Sequence, residues 1–126
     1  MIADSSFLVS LFYNGDPLNK KADAIFNSLG DEKIIMPISV IEETFTVLSY
    51  RAGTELALGF LQSTQENKDF LAYYLTPEEW QEIPKLACAL KKKLSFADYF
   101  VIYLCKKTGE KPLCFDRQLL SILKKP

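Results

Sequence analysis

The sequence predicts an α/β fold in which a short central parallel sheet carries helices on both faces. Two observations lead there. Short apolar runs alternate with longer segments of helical spacing along the chain. Strands that are separated by helices, rather than following one another directly, pair in parallel and place the helices on the sheet faces. A length of 126 residues fits a single domain, 1–126, with one sizeable core.

Each element has its own signal. "MIA" opens as a short strand, and "SSFLVSLFY" follows as a helix. "NGDP" breaks the chain. "PLNKKADAIFNSL" then spaces Leu18, Ala22, Ile25, Phe26 and Leu29 helically, and Gly30 ends it. "KIIM" reads as a strand, and "PISVIEETFTVLSYR" as the helix after it. "TELALGFLQSTQ" is a further helix, weakened by Gly59, and "DFLAYYL" is strand-like. "TPEEWQEIPKLACALKKK" begins with a capping box, Thr76 at the N-cap and Glu79 at N3, with Pro77 at N1. Pro84 is expected to kink or divide it. "SFADYFVIYLCKKTG" is a helix stopped by Gly109, "KPLCF" a strand and "DRQLLSILKK" a final short helix. The order is β-α-α-β-α-α-β-α-α-β-α.

Composition narrows the chemistry. The chain has no histidine, which excludes Ser-His-Asp and Cys-His catalysis and any His-ligated metal. Hydrolytic chemistry must then rest on carboxylates, a metal they bind, lysine or a hydroxyl. The three cysteines, Cys88, Cys105 and Cys114, are widely spaced among apolar residues and read as buried free thiols of a reducing cytosol. Apolar runs such as Phe7–Phe12, interrupted by Ser10, are too short to span a membrane, and no basic segment marks a signal peptide. A cytoplasmic protein is expected. The net charge of −1 hides an asymmetry: residues 85–126 hold ten Lys or Arg against three acids, and the first 84 residues hold five bases against thirteen acids. That basic third could hold a polyanion, although lysines at helix ends also suit the helix dipole.

In parallel α/β sheets, ligands bind outside the carboxyl ends of the strands. Asp4 closes "MIA" and Asp116 closes "PLCF". Glu42 and Glu43 fall in the first turns of the helix after "KIIM", and Asp98 falls in the first turn of the helix before the last strand. Each acid has a structural alternative. Asp4 and Asp116 suit helix N-caps, and Ser95 with Asp98 reads as S-x-x-D. Ser39 with Glu42 reads as a capping box, which leaves Glu43 over, beside the apolar face of Ile41, Val47 and Leu48. Jointly, carboxylates gathered at one edge repel one another unless a cation neutralises them. Oxygen-only donors suit magnesium or manganese.

"IADSSFLVSLF", "MPISVIEETFTVL", "LSFADYFVIYL" and "PLCFDRQL", in that order, resemble the PIN domain, most closely the VapC-type toxins of toxin–antitoxin pairs. The resemblance runs from Ile2 to Leu123. It implies a small three-layer α/β/α sandwich and a magnesium- or manganese-dependent endoribonuclease that hydrolyses RNA phosphodiester bonds by in-line attack of metal-activated water. It places the family's catalytic acids on Asp4, Glu43, Asp98 and Asp116. Of these, Asp4, Asp98 and Asp116 would hold or orient the metal. Ser5 and Ser6 follow the first acid as candidate substrate contacts. Arg117 keeps two readings, a phosphate contact or a surface charge. The implied partners are RNA and a cognate antitoxin. A homodimer is a further candidate, because segments 17–29 and 37–66 are rich in apolar residues such as Phe26, Phe45, Tyr50 and Phe60. Two alternatives stay open: a catalytically inactive PIN scaffold, and a receiver-like magnesium-binding signalling domain, which would need a second acid beside Asp4.

Overall fold

The computed structural model describes residues 1–124. Its elements follow the expected order: β1 (Ile2–Ala3), α1 (Ser5–Phe12), α2 (Asn19–Ser28), β2 (Ile34–Pro37), α3 (Ile38–Ala52), α4 (Thr54–Glu66), β3 (Phe70–Tyr73), α5 (Pro77–Leu90), α6 (Phe96–Thr108), β4 (Pro112–Leu113) and α7 (Arg117–Lys124). All strand pairs are parallel, in the order β3-β2-β1-β4. Ile2 is in register with Ile35 on one side and Pro112 on the other, and Ile34 with Phe70.

This order fixes where a site can form. The chain steps outward from β1 to β2 to β3, then returns across the sheet to place β4 on the far side of β1. Right-handed crossovers in opposite directions put helices on opposite faces, giving the α/β/α sandwich. The reversal leaves a crevice between the carboxyl ends of β1 and β4. The helices that follow a strand (α1, α3, α5 and α7) begin at that edge. So does α6, which must run back to start β4.

The core explains why the elements hold. Phe7, Leu8, Met36, Val40, Leu48, Phe60, Phe100, Ile102, Leu104 and Leu119 are all within 1% of complete burial. Phe60, a candidate partner-facing residue, is thus a core side chain, edge-on to Phe12 at 5.0 Å. Tyr50 is 89% exposed. Gly109 takes φ +74° as the C-cap of α6, which only glycine adopts without strain, so the expected stop is realised.

Three expectations need correction. Pro84 does not divide α5, which continues from Pro77 to Leu90. Buried Glu79 and Ile83 anchor the helix on the N-terminal side of the proline, so tertiary contacts outweigh its missing N–H. Cys88 is exposed; only Cys105 is buried, and Cys114 is partly so. The Ser39–Glu42 capping box does not form, because α3 starts at Ile38, with Pro37 rather than Ser39 at the N-cap and no side-chain cap.

The Thr76–Glu79 box does form, and it reaches further than a cap. Glu79 is 5% exposed and also accepts from Tyr73 at 2.8 Å, Tyr103 at 3.2 Å and Lys107 Nζ at 2.7 Å. Burial pushes its carboxyl up, but the donors, Lys107 first, outweigh it and bring the pKa down from 4.5 to about 2. A depressed carboxylate stabilises the fold fully above its unfolded pKa and loses that contribution as pH falls through the folded one. The acid limb of stability between about pH 4.5 and 2 is therefore expected to flatten in Glu79→Gln. Glu79→Ala, which removes the acceptor of both tyrosine hydroxyls, is expected to cost about 1–3 kcal/mol in a urea titration. A wild-type acid limb in both variants would dismiss this network.

Candidate active site

Asp4 stands where β1 becomes α1. Its N–H donates to Leu113 O at 2.9 Å, which joins the ends of β1 and β4. It is the N-cap of α1, as the sequence allowed: Oδ2 accepts from Ser6 Oγ at 2.8 Å and Ser6 N at 3.3 Å. Ser6 Oγ accepts in turn from Phe115 N at 2.9 Å. The carboxylate is 2% exposed, and its Oδ1 has no hydrogen-bond partner among the described residues. An unpartnered buried carboxylate oxygen is costly, and a cation is one way to satisfy it.

Glu43 lies in α3, one turn beyond its start, and accepts from Ser5 Oγ at 2.6 Å. That bond ties α3 to the first residue of α1. Neighbouring Glu42 is exposed and lines a different surface, an apolar groove with Ile38, Phe45, Leu61 and Tyr74. Asp98 is the N3 residue of α6 and completes a capping box: its N–H donates to Ser95 Oγ at 3.1 Å, and its Oδ2 accepts from Ser95 N at 3.2 Å. Burial raises its pKa, and the charges of Asp4 and Glu43 raise it further, against the pull of the Ser95 N–H. Asp98 therefore feels the charges of Asp4 and Glu43, which stand on two other parts of the chain. Capping and clustering are both true of Asp98.

Asp116 caps α7, with Oδ1 accepting from Gln118 N at 2.9 Å and Leu119 N at 3.2 Å. With Ser5 and Ser6 it lines a cavity that adjoins the acids. Arg117 is exposed at the start of α7 and makes no ion pair among the described residues. The cavity holds a different cation, Arg51, paired with Asp16 at 3.2 Å. Sequence reasoning missed this pair. Asp16 falls in the "NGDP" break and Arg51 at the end of "PISVIEETFTVLSYR", and nothing in either stretch points to the other. Cys114 Sγ lies 3.5 Å from Asp4 Oδ2; burial and then the Asp4 charge push its thiol up to about 12, which keeps it protonated.

The donor set tests well against a hard cation. It is all oxygen, it carries several negative charges at a sheet edge, and one buried oxygen lacks a partner. Among the described residues no three acidic or cysteine side chains stand close enough to enclose an ion by themselves. An ion held by one or two carboxylates and water, as magnesium commonly is, needs no such enclosure.

The pattern of the PIN domain family matches the sequence over residues 1–125. The chain belongs to the PIN domain family. Its fold is similar to the crystal structure of VapC20 from Mycobacterium tuberculosis, a toxin that cleaves the sarcin-ricin loop. The TM-score is 0.85 at 20% identity, covering 96% of this chain and 93% of that one. Comparison with curated proteins finds no match. In this PIN domain no helix among the described residues is long and apolar enough to cross a membrane.

Proposed function

We propose that this PIN domain is a metal-dependent endoribonuclease, the toxin of a toxin–antitoxin pair, with Asp4, Glu43, Asp98 and Asp116 as its acidic site. The observation that carries the proposal is the buried Asp4 carboxylate at the β1/β4 crevice, with an unpartnered Oδ1 and with Asp98 within electrostatic reach of both Asp4 and Glu43. Membership of the family and likeness to an RNA-cleaving toxin support the same reading.

Asp4 and Asp98 would hold magnesium or manganese, and Asp116 would orient it through water. When bound, such an ion lowers the pKa of its coordinated water and offsets charge on a phosphate. Ser5 would fix the Glu43 carboxylate through their 2.6 Å hydrogen bond. Ser6 would fix Asp4 and lock it to the end of β4. Both hydroxyls would thus orient carboxylates, besides being the candidate substrate contacts beside Asp4. RNA and an antitoxin protein are the proposed partners, in a cytoplasmic setting. A single-stranded or looped RNA suits an open sheet edge, because a splayed phosphate reaches it more easily than a phosphate in a regular A-form helix.

The test is cleavage of single-stranded and hairpin RNA by the purified protein. Cleavage should need magnesium or manganese and stop with a chelator. RNA left intact with either metal, or cut equally well in chelator, would overturn the reading. A second measurement needs no substrate. Magnesium at about ten times its Kd should raise the melting temperature by roughly 5 °C, from about 1.4 kcal/mol of binding linkage. In Asp98→Asn that response should vanish. The apo melting temperature of this variant should rise at neutral pH, because an acid whose folded pKa is raised destabilises the fold above that pKa. Identical melting of both proteins with and without metal would count against the cation.

A further inference from the structure

We propose that Arg51 is the residue that binds the RNA phosphate beside the acidic cluster, an inference that rests on the nuclease reading and deepens it. The acids alone repel a polyanion, so a substrate needs a fixed positive group nearby. The basic C-terminal third does not provide an obvious one. Lys107 is committed to buried Glu79, and Arg117 does not line the cavity. The cation that shares a cavity with Ser5, Ser6 and Asp116 comes from the acidic part of the chain.

Arg51 is built into its place. It lies in the last turn of α3, with Nη1 3.2 Å from Asp16 Oδ2. The Asp16 side chain is only 10% exposed, and its Oδ1 is held separately by Ser10 Oγ at 3.0 Å and Leu18 N at 2.9 Å. Burial pushes the Asp16 carboxyl up, but these hydrogen bonds and the Arg51 charge hold its pKa below the ordinary value. The guanidinium carbon lies 5.4 Å from the centroid of the Tyr13 ring. That ring lies so close to Gly15 that a Cβ there would come within 2.5 Å of it. Loop, aspartate and aromatic ring together fix the guanidinium.

The same group is left able to act. The Arg51 side chain is 45% exposed, and its pairing with Asp16 is its one ion pair among the described residues. A guanidinium carries five N–H donors in a planar fork that matches a phosphate. Lys21 Nζ, 5.6 Å from the centroid of the Phe115 ring, adds a second cation near this cavity, which Phe115 also lines. The placement suits a backbone phosphate next to the one being cleaved.

The experiment separates binding from cleavage. Affinity for a short single-stranded RNA of mixed sequence is measured in magnesium buffer across a salt titration, in the Asp98→Asn background. Adding Arg51→Gln should weaken binding about tenfold and lower the log–log salt slope by about 0.7, the share of one phosphate contact on a single strand. Arg51→Lys should restore the slope and part of the affinity. Lys85→Gln, at a side chain 70% exposed on α5, controls for loss of a surface charge. In cleavage-competent protein, Arg51→Gln should raise KM about tenfold and change kcat much less. If Asp98→Asn abolishes cleavage but Arg51→Gln behaves like Lys85→Gln in affinity and slope, the Arg51 proposal fails and the nuclease reading stands. If RNA binds in an Arg51-dependent way yet wild-type protein cuts nothing, the nuclease reading fails and the phosphate site stands. No RNA binding at any salt concentration overturns the Arg51 proposal directly.

Discussion

Asp98→Asn is expected to lower RNA cleavage by at least about a hundredfold while the protein stays folded. Asparagine keeps the size of the side chain, and its carbonyl can still accept from Ser95 N, so the start of α6 survives. What disappears is the charge, at a position that already feels Asp4 and Glu43. Asp4→Asn should match it in activity, since it removes charge from the carboxylate that carries the unpartnered Oδ1. Its effect on folding should be larger than that of Asp98→Asn, because an amide must then fit beside Ser6 and Cys114 in a site only 2% exposed. Initial rates on a labelled single-stranded RNA, with melting curves as folding controls, decide the matter. An Asp98→Asn protein that cuts within a few-fold of wild type would remove this residue from the site.

Glu43→Gln and Glu42→Gln should part company. Glu43→Gln is expected to lose roughly ten- to a hundredfold in cleavage, and Glu42→Gln to stay within about threefold of wild type. The two residues are adjacent on α3, yet their side chains meet different surroundings. Glu43 accepts from Ser5 at the base of the acidic edge. Glu42 lines the apolar groove beside Phe45 and Tyr74. The reason for sparing Glu42 therefore differs from the one the sequence suggested: it is not a helix cap, since α3 begins ahead of Ser39. Ser5→Ala should fall between the two, because it frees the Glu43 carboxylate without removing it. Loss of cleavage in Glu42→Gln with full activity in Glu43→Gln would place the helix acid one residue too late.

The fold was legible because its signals are local and repeated. Alternating apolar runs and helical spacing marked, in order, the eleven elements found among the described residues, and parallel pairing follows from strands joined through helices. Capping chemistry was legible where a hydroxyl and an acid stand three residues apart after a loop, as at Thr76–Glu79 and Ser95–Asp98. The same spacing misled at Ser39–Glu42, because Pro37, with its fixed φ, starts the helix before Ser39 can cap it.

The sequence by itself determined the kind of chemistry open to this protein. Without histidine and with acids at the strand ends, it had to work through carboxylates and what they bind. Only the tertiary structure decided which of those acids share a field, since Coulomb interactions depend on distances between α1, α3 and α6 that no spacing along the chain encodes. Tertiary structure also left one oxygen of Asp4 buried without a partner, turned Glu79 from a cap into the hub of a buried network, and set Arg51 against Asp16 at the rim of the acidic edge. In each case the deciding quantity was desolvation or proximity between segments far apart in the chain, and a linear pattern carries neither.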